Sequence, residues 1–194
     1  DLGRVVIDFD HNRVLSHWAR QASCDVDRLS GRFEADEAFR RHERGEITDA
    51  EFFASLRSKF VVDLTDAQFA QGWNATFIGE MPGIRPLLAA AAKRFPLYAF
   101  SNTNNAHSNH ILEHFADILE IFDEIFLSSR IGHRKPDREA YEHVVQAIGV
   151  RPAEVLFFDD VIENVYGAQR AGLRAIHVRS NNDITAALAE LGID

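Results

Sequence analysis

From Met81 onward, short apolar runs rich in β-formers alternate with stretches whose apolar residues recur at helical spacing, and this alternation constrains the fold more than any other feature. Pro82-Gly83 opens an alanine-rich helix over Ile84 to Phe95, and Pro96 ends it before the run Leu97-Tyr98-Ala99-Phe100. Glu124-Ile125-Phe126-Leu127 reads as the next strand, followed by a helix from Asp137 to Ile148 that Gly149 stops. Val155 to Phe158 reads as a third strand, Ile162 to Ala171 as a helix ended by Gly172, and Arg174 to Val178 as a fourth strand. Strands separated by single helices need crossover connections, so the spacing predicts an α/β fold with a parallel sheet between helical layers.

The first part of the chain has another texture. Between about His11 and Phe77 it is charged and helical, with Phe33, Ala38 and Phe39 and then Phe52, Phe53, Leu56 and Phe60 at helical spacing. Thr48 with Glu51, and Thr65 with Gln68, have the spacing of capping boxes that start helices. Val5-Val6-Ile7, by contrast, reads as a strand joining the sheet. The organisation expected is therefore a discontinuous α/β core, residues 1–10 and 80–194, with residues 11–79 inserted as an all-helical cap over the strand ends.

The chain has 194 residues, enough for one core with an inserted unit. Thirty acidic against twenty-one basic side chains give a formal net charge of −9, which disfavours a nucleic-acid partner; an anionic substrate must meet locally placed cations. Cys24 is the single cysteine, so an internal disulfide is excluded and a reducing compartment fits. No apolar stretch approaches the roughly 20 residues that span a bilayer, and no signal-peptide pattern opens the chain. The expectation is a cytoplasmic protein with no membrane partner.

Three polar clusters end or follow the apolar strands. Asp159-Asp160 closes the run Val155 to Phe158, with Asn164 beyond it. Two adjacent carboxylates at a strand end suit a hard cation, because burying such charge costs several kcal/mol unless a cation compensates it. Capping of the following helix by Asp160 is the plainer alternative. Ser101-Asn102-Thr103 offers a hydroxyl and free amides that hold phosphate oxygens, or an ordinary turn. Lys135-Pro136 offers a cation on a loop stiffened by proline. A phosphate cradle, a lysine and a carboxylate pair at successive strand ends converge on phosphoryl chemistry.

Together, Asp1-Leu2-Gly3-Arg4-Val5, Ser101-Asn102-Thr103, Lys135-Pro136 and Phe158-Asp159-Asp160 with Asn164 resemble, in order, the motifs of the haloacid dehalogenase-like hydrolase superfamily. The resemblance covers nearly the whole chain. Through Asn12-Arg13-Val14-Leu15 and His42-Glu43-Arg44-Gly45-Glu46-Ile47, the sequence is most similar to bacterial sugar phosphatases of the α-D-glucose 1-phosphate phosphatase type.

The resemblance implies a Rossmann-like core and a Mg²⁺-dependent phosphatase acting on a small phosphorylated metabolite, such as a sugar phosphate, through an aspartyl-phosphate. It casts Asp1 as nucleophile, Ser101 and the Asn102 amide as phosphoryl ligands and Lys135 as the neutralising cation. Mg²⁺ would be held by Asp1, the Gly3 carbonyl and Asp160, with Asp159 as a further ligand or outer support and Asn164 behind it. Arg13 and Arg44 in the cap are candidates for reading the substrate, beside Arg41, His42 and Glu46. A metal-independent dehalogenase, or a low-activity metabolite- or partner-binding module, is the alternative.

Asp8-Phe9-Asp10 competes with Asp1 as the nucleophile site, since Arg4 to Ile7 supplies a strand and Asp10 a second carboxylate. The family's tight turn after the nucleophile favours Asp1-Leu2-Gly3, where glycine helps. That choice places an apolar strand before Asp1 in the native protein. It also puts Gly3 where relatives carry the carboxylic acid that protonates the leaving group, a loss of about 10²–10⁴ in rate unless an acid comes from the cap or the leaving group is a good one. His107, His110 and His114 share a helical face; a zinc site would require them to converge.

Overall fold

The computed structural model describes residues 1–193. Six strands are present among them: β1 (Ile7–Phe9), β2 (Phe77–Glu80), β3 (Tyr98–Ser101), β4 (Glu124–Leu127), β5 (Leu156–Asp159) and β6 (Arg174–His177). β3 pairs in parallel with β4, and β5 with β6. Each of these strands except β6 leads into a crossover or loop helix before the next: Asn105–His114 after β3, Arg138–Ile148 beyond β4, Ile162–Arg170 after β5. The architecture is the α/β fold with parallel strands that the alternation predicts. The two parallel pairs are separated by an apolar cavity of about 340 Å³, lined from both sides by Tyr98, Phe100, Leu156 and Phe157, with Asp1 also on its wall.

The helical segment has a core of its own, in which Trp18, Phe52, Phe53, Phe60, Phe69 and Trp73 are buried. Trp18 is fully buried and its indole N–H donates to the Phe69 carbonyl at 3.0 Å, which satisfies its one polar atom. Both capping boxes form: Thr48 with Glu51 starts the helix Asp49–Phe60, and Thr65 with Gln68 starts Asp66–Asn74. Two further clusters of buried residues fill the α/β part. No helix among the described residues is long and apolar enough to cross a membrane.

One local expectation fails. Of Val5-Val6-Ile7 only Ile7 is in a strand, and β1 pairs antiparallel with β2 as a separate two-stranded unit instead of joining the parallel strands. The preceding residues coil instead: the Leu2 carbonyl accepts hydrogen bonds from the amides of Val5, Val6 and Ile7. This buries Val5 and Val6 at 5% and 2% exposure, so apolar side chains that read as strand belong to a buried turn. β1 and β2 are the way out of and back into the α/β part, so residues 77–79 sit in that antiparallel strand pair and not in the helices.

Candidate functional site

β3, β5 and the loop before the helix Arg138–Ile148 bring Ser101, Asp159 and Lys135 to one place beside Asp1. The Asp1 main-chain nitrogen donates to the Phe158 carbonyl at 2.6 Å, tying it to the end of β5. Asn102 and Lys135 clamp each other: the Asn102 side-chain amide donates to the Lys135 carbonyl and the Lys135 amide to Asn102 Oδ1, each at 2.8 Å. The Lys135-Pro136 peptide is cis.

Lys135 is fully buried, and its Nζ reaches Asp159 Oδ2 at 2.6 Å, Asp1 Oδ1 at 3.0 Å and the Phe100 carbonyl at 3.0 Å. Burial lowers the Lys135 ammonium from the ordinary lysine range, and the charge of Asp159 opposes that. Asp159 is itself fully buried; burial pushes its carboxyl up, but Lys135 and the hydrogen bonds it accepts carry it below the usual range. Its second oxygen accepts from the Val161 amide at 2.9 Å and from Asn164 Nδ2 at 3.0 Å. Asn164 is held in turn, since Tyr141 Oη donates to its carbonyl at 2.7 Å.

Asp160 differs from its neighbour. Its main-chain carbonyl accepts from His177 at 3.0 Å, and no protein donor among the described residues bonds its carboxylate from another residue. Burial, then the charge of Asp159, raises its pKa. Carboxylate oxygens of Asp1, Asp159 and Asp160 lie within 4.8 Å of one another. Three carboxylates against one ammonium leave two formal negative charges, which fits a divalent hard cation. Leu2's carbonyl is fully engaged, while no hydrogen bond among the described residues ends on that of Gly3, so this oxygen is free as well. The oxygen donors available are those of Asp1, Asp160 and Gly3; Asp159 has both oxygens occupied by protein donors.

A second cavity, of about 440 Å³, opens over this cluster and is lined by Asp1, Gly3, Ser101, Asn102, Lys135 and Asp160. It is also lined by Phe9 at the end of β1 and His11 just after it, by Phe39, Glu43 and Trp73 of the helical segment, and by His107 and Arg134. Arg13 and Arg44 do not line it. Arg44 is bound by Glu37 and Glu46, and Arg13 is exposed. His42 is buried instead against Phe52 and bonds Asp49 at 2.7 Å. Asp8 and Asp10 are not among the lining residues either. His107, His110 and His114 form no metal-holding group among the described residues: His107 Nε2 meets the Trp73 carbonyl, and His110 and His114 stack on each other.

Sequence reasoning passed over Glu43 and Arg134. Their side chains form an ion pair at 2.8 Å, largely buried at 10% and 19% exposure, between the end of the helix Glu37–Glu43 and the residue before Lys135. The signal was present in His42-Glu43-Arg44, but a step of one residue turns about 100° around a helix, so Glu43 faces the cavity and Arg44 does not. The turn after Asp1 also differs from expectation: the left-handed residue is Arg4, with φ of +53°, and Gly3 is constrained by contact instead. A Cβ at Gly3 would stand 2.6 Å from the Phe9 ring.

The chain is similar in sequence or in fold to several known proteins. The chain is 25% identical to D-ribitol-5-phosphate phosphatase of Bacteroides thetaiotaomicron over 190 residues, 94% of this chain and 91% of that protein. It is 31% identical to the sesquiterpene phosphatase astK of Aspergillus oryzae, over 88% of this chain and 87% of the relative. Among solved structures, a HAD family enzyme of Bacteroides thetaiotaomicron in complex with magnesium and inorganic phosphate superimposes with a TM-score of 0.80 at 26% identity, covering 91% of this chain and 90% of that one. Residues 12–172 match the haloacid dehalogenase-like hydrolase family, and the chain belongs to it.

Proposed function

We propose that the protein is a Mg²⁺-dependent phosphatase that hydrolyses a small phosphorylated metabolite, a sugar or polyol phosphate, through an aspartyl-phosphate on Asp1. The observation that carries this reading is Lys135, fully buried and within 3.0 Å of Asp1 while bonded to Asp159, beside a carboxylate of Asp160 that is in no ion pair among the described residues. Mg²⁺ bound by Asp1, Asp160 and the Gly3 carbonyl would supply charge neutralisation at the phosphoryl oxygens. Lys135 orients Asp1 and offsets charge as the Asp1 oxygen bonds to phosphorus and the leaving oxygen departs. Ser101 and Asn102, on the same cavity wall, hold the phosphoryl oxygens. Water then cleaves the aspartyl-phosphate. The named activities of the ribitol phosphate and sesquiterpene relatives support phosphatase chemistry, and the former supports a polyol or sugar phosphate as substrate.

A panel of phosphate esters that includes ribitol 5-phosphate, hexose phosphates and p-nitrophenyl phosphate, assayed with Mg²⁺ for released phosphate, tests the reading. Asp1→Asn is expected to abolish turnover of every ester that the wild type cleaves. Equal phosphate release by both proteins would overturn the assignment of Asp1.

A further inference from the structure

A phosphatase that cleaves an alkyl ester must protonate the departing oxygen, and at position 3 there is no side chain to do so. A side chain there would also have to displace the Phe9 ring, which stands 2.6 Å from where a Cβ of residue 3 would lie. The proton donor must therefore come from elsewhere on the cavity wall. Four carboxylates line that cavity: Asp1, Asp160, Glu43 and Glu163. Asp1 and Asp160 belong to the charge cluster with Lys135, and Glu163 is exposed. Glu43 is buried at 7% exposure on the cavity wall and comes from the helical segment, whereas Ser101 and Asn102 come from the end of β3.

We propose that Glu43, held by Arg134, is the acid that protonates the leaving-group oxygen in this chain, replacing the group that glycine and Phe9 exclude from position 3. The inference rests on the phosphatase reading above. In the first step the Glu43 carboxyl gives its proton to the ester oxygen as the phosphorus–oxygen bond breaks and the Asp1 oxygen bonds to phosphorus. In the second, the Glu43 carboxylate takes a proton from the attacking water as its oxygen bonds to phosphorus and the phosphorus–oxygen bond to Asp1 breaks, which releases inorganic phosphate and restores the Asp1 carboxylate and the Glu43 carboxyl. The site is equipped for both states. Burial raises the Glu43 carboxyl above the usual range, and the Arg134 guanidinium opposes that rise and receives the carboxylate once the proton has left. The charged groups facing Glu43 are Arg134 and Lys135 of the core loop, and His42 is the titratable neighbour on its own helix. The short helix Ser128–Ile131 packs beneath, where the Ser129 carbonyl would be 2.2 Å from any Cβ at Gly45, and this close fit sets the position of Glu43.

The test is the dependence of rate on leaving-group basicity, read with a series of substituted phenyl phosphates from p-nitrophenyl phosphate to the unsubstituted ester. In Glu43→Gln the loss is expected to grow along the series, from below about tenfold for the most acidic phenol toward the roughly 10²–10⁴ of a missing general acid for the least. Arg134→Met, which keeps the carboxyl but removes its cation, should move the alkaline limb of the pH–rate profile upward. A uniform loss across the series, as a merely structural contact between helix and core would give, overturns the proposal. So does steepening in His11→Gln but not in Glu43→Gln, which would make His11, also on the cavity wall, the acid. If Asp1→Asn hydrolyses p-nitrophenyl phosphate as fast as wild type, the phosphatase reading itself has failed; an Asp1-dependent activity with parallel lines removes only Glu43.

Discussion

Lys135 is a buried cation whose ammonium spans two carboxylates, and its energetic weight comes from what would remain without it. Asp159 is fully buried and bonded to Lys135, Val161 and Asn164, so removing the ammonium strands a charge with only neutral donors around it. Breaking one side of such a pair costs about 3–5 kcal/mol, whereas removing both sides costs much less. Lys135→Met is therefore expected to lower the free energy of unfolding in urea by about that amount, and adding Asp159→Asn to restore a good part of it. Strictly additive losses in the double variant would mean that the two side chains do not share one interaction. Phe9 makes a related point at the same scale. No motif reading of Gly3 anticipates that a phenyl ring six residues later fills the space beside it, because that contact depends on where pairing with β2 holds β1.

At the scale of elements, local chemistry was largely legible and its long-range consequences were not. Glu124–Leu127 has the bounds that its composition predicts, and β3 and β5 are each displaced by one residue, so that Ser101 and Asp159 lie inside the strands they were expected to follow. Both capping boxes were readable because their partners are three residues apart. β1 was misread because Val5-Val6-Ile7 has strand composition, while the Leu2 carbonyl takes their amides into a turn. The helix Asn105–His114 carries a consequence of its own. Asn104 caps it by accepting from the His107 amide, which leaves the Asn104 amide group facing His107 Nδ1, while His107 Nε2 donates to the Trp73 carbonyl. The neutral ring is thus satisfied at both nitrogens, and a proton on Nδ1 would oppose a donor. Burial lowers this histidine to about 3. An unfolded histidine binds a proton near pH 6.5, so as pH falls below that value the unfolded chain gains a proton that the folded one refuses, and stability drops until the folded pKa is reached. His107→Gln is expected to flatten the slope of stability against pH between about pH 6 and about pH 4, by up to about 1.4 kcal/mol per pH unit, in urea melts of variant and wild type. Unchanged slopes would sink the claim that His107 is held neutral.

The whole molecule joins a helical unit with its own core to an α/β part, and the cavity lies where they meet. The polar half of that cavity was visible in sequence, because each group sits at the end of a recognisable strand or loop. The other half was not: Glu43 and Arg134 are 91 residues apart and meet only when the two parts pack. The charge balance of the site, three carboxylates to one ammonium, also belongs to this scale, since its members come from the start of the chain, the loop before the helix Arg138–Ile148 and the end of β5. Without a cation, Asp160 adds repulsion beside Asp159; on the function proposed above, it would serve as a ligand once a cation is bound. The same carboxylate should therefore act in opposite senses on stability. In EDTA, Asp160→Asn is expected to melt above the wild type, because it removes a like charge from the cluster. In Mg²⁺ at about 100 times its dissociation constant, the wild type should gain about 2.7 kcal/mol, or roughly 5–10 °C in melting temperature for a chain of this size, and the variant much less. The two orders of stability should cross, and the crossing is independent of any substrate. Parallel melting shifts in both proteins would place the cation away from Asp160 and overturn its proposed part in holding Mg²⁺.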